Sequence, residues 1–176
     1  AILFSDILLL PHFLGQKVTF KKKIGPILKR ISIDEKFLKK EIDFNNFTSI
    51  KNAIFKIKKT LPLTKDLIGF CGAPWTLACY MIEGGSSKDY VKTRTFLWNN
   101  EKTFFKLINK LTKDCADFLE YQYLAGCTVL MIFDTWSSMI PDRYWAKFGI
   151  EPIKFIVDRL REKNVKCPII GLPFKS

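Results

Sequence analysis

Four continuous apolar runs constrain this chain most: Ala1 to Phe4, Leu67 to Phe70, Thr128 to Phe133 and Pro168 to Leu172. Each ends in turn-type or polar residues, and none alternates polar with apolar positions. Strands with one wet face alternate, whereas strands buried on both faces of a parallel sheet do not. Parallel neighbours also need a long crossover, usually a helix. The intervening segments supply helical patterns. Phe47 to Thr60 places Ile50, Ile54 and Ile57 on one face, and Glu101 to Leu124 places Phe104, Leu107, Ile108, Leu111, Cys115, Phe118 and Leu119 on one stripe. Asn99 or Asn100 can cap that second helix and Gly126 can end it. Pro141 and Pro152 each suit a first helical turn, with Gly149 separating the two helices. The pattern is α/β, with about four parallel β/α units and right-handed connections. An open sheet and half of an eightfold barrel look alike at this level. Residues 18–46 are the least regular and read as an excursion on the rim.

One junction stands out. The run LIGF at 67–70 ends in Cys71-Gly72-Ala73-Pro74, a short helical pattern follows, and Gly84-Gly85 stops it. Small residues fall where the backbone must turn or come close to another group. In parallel α/β sheets, ligands sit at such carboxyl-terminal junctions. Trp75, Tyr80 and Glu83 crowd this one.

The same segment, GFCGAPWTLACYMIEGGSSK, closely resembles the signature stretch of the uroporphyrinogen decarboxylase family. AILFSDILLLPHFLG, at the start, resembles that family's first barrel strand and turn, and VLMIFDTWSSMI, at 129–140, a later strand and loop. The resemblance spans essentially the whole chain. It implies a partial (β/α)8 TIM barrel, with residues 1–176 forming a single partial domain. It also implies an activity: decarboxylation of the acetate side chains of uroporphyrinogen III to give coproporphyrinogen III, in a protein that is a homodimer at full length. No metal or organic cofactor is implied, because the protonated pyrrole ring of the substrate is its own electron sink.

Residue roles follow from the resemblance motif by motif. Asp6, read alone, is a helix cap or a solvated loop acid. In the FSD motif it takes the catalytic place, receiving the pyrrole N–H groups. Tyr80, alone a packed phenol, matches the substrate-contacting tyrosine of a TYM-type motif that here reads CYM. Thr135, in FDTW, matches a Ser or Thr that binds substrate, although a Thr can equally satisfy its local backbone. Phe70 is placed to wall the pocket. Asp134 could orient a neighbour and is left unassigned. Glu83 reads as serving a helix end or an ion pair, Pro74 and Trp75 as shaping the turn, and His12, the only histidine, as incidental. Gly84 to Ser87 could bind an anion through backbone amides but read first as loop punctuation.

Other function classes find less support. The balance of 29 basic against 17 acidic residues gives +12, yet the lysines are scattered and no nucleic-acid module or interleaved basic stripe occurs. Residues 50–60 only weakly mimic a membrane-surface helix, and no apolar run approaches the roughly 18 residues of a membrane span. Five cysteines without a CxxC argue against a disulfide framework or zinc ribbon and for a reducing, cytoplasmic setting. No GxGxxG or phosphate loop is present. Two alternatives stay open. One is a zinc-dependent corrinoid methyltransferase of the same superfamily, although no HxC pattern appears. The other is a non-catalytic half-barrel binding module. The family's amino-terminal arginine-rich motif and carboxyl-terminal histidine are absent, and both ends look cut. The expectation is an internal piece that is inactive and poorly stable alone.

Overall fold

The computed structural model describes residues 1–3, 5–23 and 25–174. In chain order the elements are α1 (Leu9–Phe13), β1 (Val18–Lys21), β2 (Gly25–Leu28), α2 (Glu35–Leu38), α3 (Thr48–Thr60), β3 (Ile68–Gly72), α4 (Pro74–Glu83), α5 (Val91–Asn99), α6 (Glu101–Ala125), β4 (Val129–Asp134), α7 (Glu151–Glu162) and β5 (Ile169–Pro173). The main sheet is parallel, in the order β3-β4-β5. Gly72 lies opposite Phe133, and Asp134 opposite Pro173. The first expected strand survives as a parallel bridge between Ile2 and Ile68 on the other side of β3. There the Leu3 N–H donates to the Ile68 carbonyl at 3.2 Å and the Ile68 N–H to the Ala1 carbonyl at 2.8 Å. Its expected end at Phe4 lies outside the described residues. Parallel strands alternate with helices in a sheet that does not close. That is a partial (β/α)8 barrel.

The core lies between this sheet and the helices behind it. The stripe expected on α6 is buried at all seven positions, because its 3.6-residue period matches a helix lying across β3 and α4. Gly126 ends that helix at φ 120°. Asn100 does sit at its start, but its side chain makes no capping bond. Gly149 does not separate two helices: Trp145–Ile150 form a π-helical turn that runs straight into α7. A Cβ at Gly149 would lie 3.2 Å from the Trp145 ring, so the glycine admits that indole.

Burial on both strand faces holds for β3 only. In β4, Leu130, Ile132 and Asp134 are buried against the helices, while Val129, Met131 and Phe133 on the other face are half-buried. Most of β5 is exposed. The sheet is covered on its helix side along β3 and β4, while β5 and the concave side of β4 stay open. Among the described residues, no helix is long and apolar enough to cross a membrane.

The irregular stretch contains an antiparallel hairpin, β1 against β2. Its sequence hides this because β1 is largely exposed and carries no alternation. The hairpin is tied to the end of α4: the Leu28 N–H donates to the Gly84 carbonyl at 2.9 Å, and Ile27 bridges Gly85. Gly84 itself caps α4 at φ 86°, a left-handed conformation suited to glycine.

A buried amide braces β3 from behind. Gln122 of α6 donates through Nε2 to the Phe70 carbonyl and accepts from the Phe70 N–H through Oε1, both at 2.9 Å. A Cβ at Gly69 would lie 2.9 Å from that Oε1, so glycine lets the helix approach. Replacing Gln122 with Ala in the full-length protein is expected to cost about 2–4 kcal/mol in urea unfolding, from two buried hydrogen bonds and the void left behind.

Candidate active site

A cavity of about 470 Å³ opens at the carboxyl ends of the parallel strands, lined by Ser5, Asp6, Ile7, Leu8, Pro26, Phe70, Tyr80, Phe133 and Thr135. All four residues singled out from the sequence therefore border one space. They come from different elements: Phe70 from β3, Thr135 from the residue after β4, Tyr80 from α4, and Asp6 from the turn before α1.

Each is held by local structure. The Asp6 carboxylate accepts the Leu8 N–H at 2.8 Å. It thus braces the turn ahead of α1, whose N-cap is Leu8 with no side-chain cap, and this engages one oxygen while the group also borders the cavity. Phe70 meets Phe133 edge to face, with centroids 5.3 Å apart and planes at 88°, a favoured aromatic geometry. The two rings make an apolar floor. Tyr80 is carried by a helix whose preceding turns are fully buried. Burial pushes the Tyr80 phenol up from its ordinary pKa, and the negative charge of Asp6 adds to the rise. The phenol therefore stays protonated at neutral pH and can donate a hydrogen bond. Among the described residues that line the cavity, none is basic.

Other expected residues fall elsewhere. His12 is exposed on α1 and does not border the cavity. Trp75 is fully buried, and its indole N–H donates to the Trp136 carbonyl at 2.9 Å. Pro74 opens α4. Glu83 serves a helix end, though of the neighbouring helix: its Oε1 accepts the Thr93 N–H at 2.8 Å and the Thr93 hydroxyl at 3.0 Å, in the first turn of α5. The five cysteines are all buried and free. Among the described residues, no group of three or more His, Cys, Asp or Glu is arranged to hold a metal ion.

The family model for uroporphyrinogen decarboxylase matches residues 1–173. This chain belongs to the uroporphyrinogen decarboxylase family. It is 41% identical over 174 residues to the uroporphyrinogen decarboxylase of Rickettsia felis, covering 98% of this chain and 50% of that protein. The corresponding figures for the Rickettsia rickettsii (strain Sheila Smith) protein are 42%, 98% and 50%. The chain thus spans about half the length of the curated relatives it matches. Among solved structures, a methyltransferase from Methanosarcina mazei superposes with a TM-score of 0.71 at 13% identity, over 97% of this chain and 50% of that one. That likeness shows a shared fold.

Among the residues that line this uroporphyrinogen decarboxylase family cavity, sequence reasoning missed Phe133 and Pro26. Phe133 could have been found by parity: side chains two apart on a strand share a face, so Phe133 points with Thr135 and Asp134 points away. Pro26 had no such signal, since only the hairpin brings it to the cavity. Asp134 faces the helices, where it accepts the Thr76 hydroxyl at 2.7 Å. Burial pushes its pKa up to about 6, with the Thr76 hydrogen bond pulling the other way.

That shift has a sign. The folded pKa lies above that of the unfolded chain, so between roughly pH 4 and 6 the folded state keeps a proton the unfolded state has lost. The contribution of Asp134 to stability therefore falls as pH rises through that window. Asp114 moves the same way, with burial pushing it to about 6 as well, so the two acids must be separated by mutation. In the full-length protein, the stability of Asp134→Asn relative to wild type is expected to improve by about 1–3 kcal/mol from pH 4 to pH 7 in denaturant titrations.

Proposed function

We propose that the full-length protein removes the acetate carboxyl groups of uroporphyrinogen III as carbon dioxide and yields coproporphyrinogen III. One observation supports this above the rest: in a chain of this family, Asp6, Tyr80, Thr135 and Phe70 border a single cavity at the carboxyl ends of the strands.

The chemistry needs a place to put electrons. Protonation of the pyrrole carbon that bears the acetate makes the ring cationic. The carbon–carboxyl bond then breaks, carbon dioxide leaves, and the bonding pair flows into the ring. A second proton adds to the exocyclic carbon, giving a methyl group, and the ring proton is lost. Each cycle consumes one proton net and needs no oxidant. In this reading the Asp6 carboxylate accepts the pyrrole N–H groups and stabilises the ring cation. A preorganised charge in a water-poor site supplies several kcal/mol of such stabilisation. Tyr80 and Thr135 donate hydrogen bonds to substrate carboxylates, and Phe70 with Phe133 forms an apolar wall against the macrocycle.

The described residues of the cavity lining include no cation; in this reading, cations elsewhere in the full-length protein hold the substrate's remaining carboxylates. Residues 1–176 are read as one partial barrel domain, the full-length protein as a homodimer, as the family resemblance implies, and its setting as cytoplasmic, which five unpaired buried thiols support.

The test is direct. Full-length protein incubated anaerobically with uroporphyrinogen III and no added cofactor should release four carbon dioxide molecules for each coproporphyrinogen formed. Intact substrate after exposure to protein shown to be folded would overturn the proposal.

A further inference from the structure

The loop that carries Thr135 is held by a buried polar clamp that the proposed chemistry does not use. Beyond Asp134 the β4 ladder ends, and the chain turns into a short 3-10 segment at Ser137–Met139. The ladder no longer sets the position of Thr135. Helix α4 takes over. The Trp136 N–H donates to the Thr76 hydroxyl at 3.1 Å, and the Trp136 carbonyl accepts from the Trp75 indole at 2.9 Å. The Thr76 hydroxyl in turn donates to Asp134 Oδ1 at 2.7 Å, and the Ser137 hydroxyl donates to the Asp134 carbonyl at 3.0 Å. Thr76 and Ser137 are fully buried, and Asp134 is 6% exposed.

The polarity of the clamp is informative. A carboxylate only accepts, so it forces the Thr76 hydroxyl to donate toward it. The lone pairs of that hydroxyl then remain for the Trp136 N–H. A neutral amide in place of Asp134 could turn over and leave the hydroxyl's direction open. A buried carboxylate is costly as a mere brace. Here it brings a single arrangement, in which both peptide neighbours of Thr135 are fixed to the helix that bears Tyr80. The Trp136 ring completes the link, 6.1 Å from the Tyr80 ring and 4.9 Å from that of Tyr90.

We infer that Thr76 and Asp134 are positioning residues for substrate binding: through the Trp136 peptide they hold the Thr135 hydroxyl at a fixed place across the cavity from Tyr80. This rests on the functional reading above, in which Thr135 binds a substrate carboxylate.

A double-mutant cycle on the full-length enzyme tests it, with KM and kcat for uroporphyrinogen measured at saturating and limiting substrate. Thr135→Val should raise KM about tenfold, the scale of one hydrogen bond to a charged group. Thr76→Val should raise KM to a similar degree with a smaller change in kcat, and Thr76→Ser should restore it to within about twofold. The double variant Thr76→Val/Thr135→Val should be no worse than the poorer single one, because both act on the same contact. A residue that only stabilised the fold would leave KM unchanged, or its effect would multiply with that of Thr135→Val; either result overturns the inference. If Thr76→Val does not fold, Asp134→Asn takes its place in the same cycle. A wild-type enzyme that leaves uroporphyrinogen untouched removes the functional reading first, and this inference with it.

Discussion

Replacing Asp6 with Asn in the full-length protein is expected to lower kcat on uroporphyrinogen by roughly two to three orders of magnitude, the range for removing one preorganised electrostatic group from an active site. The substitution keeps the side-chain shape. Its carbonyl oxygen can still accept the Leu8 N–H, which Asp6 now takes at 2.8 Å, so the turn into α1 should survive and the melting temperature should stay near that of wild type. What disappears is the charge that offsets the cationic ring. The loss should therefore fall on kcat, with KM changing little, because the ground-state macrocycle is not a cation. Steady-state kinetics beside a thermal melt separates these outcomes. A variant within tenfold of wild type would mean that Asp6 braces its turn and does nothing further.

The 176-residue chain on its own is expected to show no measurable decarboxylation, a drop beyond about a thousandfold from the full-length enzyme if that enzyme relies on cations from its other half to orient substrate. The physical grounds are on its surface. The last strand of the sheet presents Ile170 and Leu172 at 38% and 48% exposure, and Phe174 just after it is 55% exposed. The concave face of β4 is only half covered. Long apolar edges of this kind template pairing with other chains, and large uncovered apolar patches promote association. Purified alone, the chain should elute as aggregates and bind a hydrophobic dye strongly. A monodisperse, dye-silent and active preparation would contradict this expectation.

Much of the fold was legible in the sequence because its signals are local. The stripe on α6 and the stop at Gly126 depend on residues within a few turns of one another. The parallel strands declared themselves through unalternating apolar runs, although β4 turned out to bury one face and half-cover the other, and β5 to be mostly exposed. Elements whose identity depends on distant partners were not legible. The hairpin β1–β2 is defined by its pairing and by its tie to Gly84, with no inward-facing pattern of its own. Gln122 falls on the apolar stripe and looks like an interruption until β3 is placed against it. Gly149 reads as a break, yet it makes room for the Trp145 ring within a continuous helix.

The site divides in the same way. Read alone, Asp6 looks like a helix cap or a solvated loop acid; it in fact braces the turn before α1 without capping the helix. Its place beside Tyr80, Phe70 and Thr135 was expected from the family resemblance, and the cavity brings all four together. The Asp134–Thr76 contact spans 58 positions of sequence. Only the packing of α4 over β4 reveals it; the sequence offered Asp134 as a residue that could orient a neighbour, without saying which one.

The most direct measurement is a crystal structure of the full-length protein with coproporphyrinogen bound under anaerobic conditions. The account predicts pyrrole nitrogens within hydrogen-bonding distance of the Asp6 carboxylate, with Tyr80 and Thr135 reaching peripheral carboxylates of the same molecule. A tetrapyrrole seated elsewhere, with the position-6 carboxylate facing only the backbone of its own turn, would contradict it.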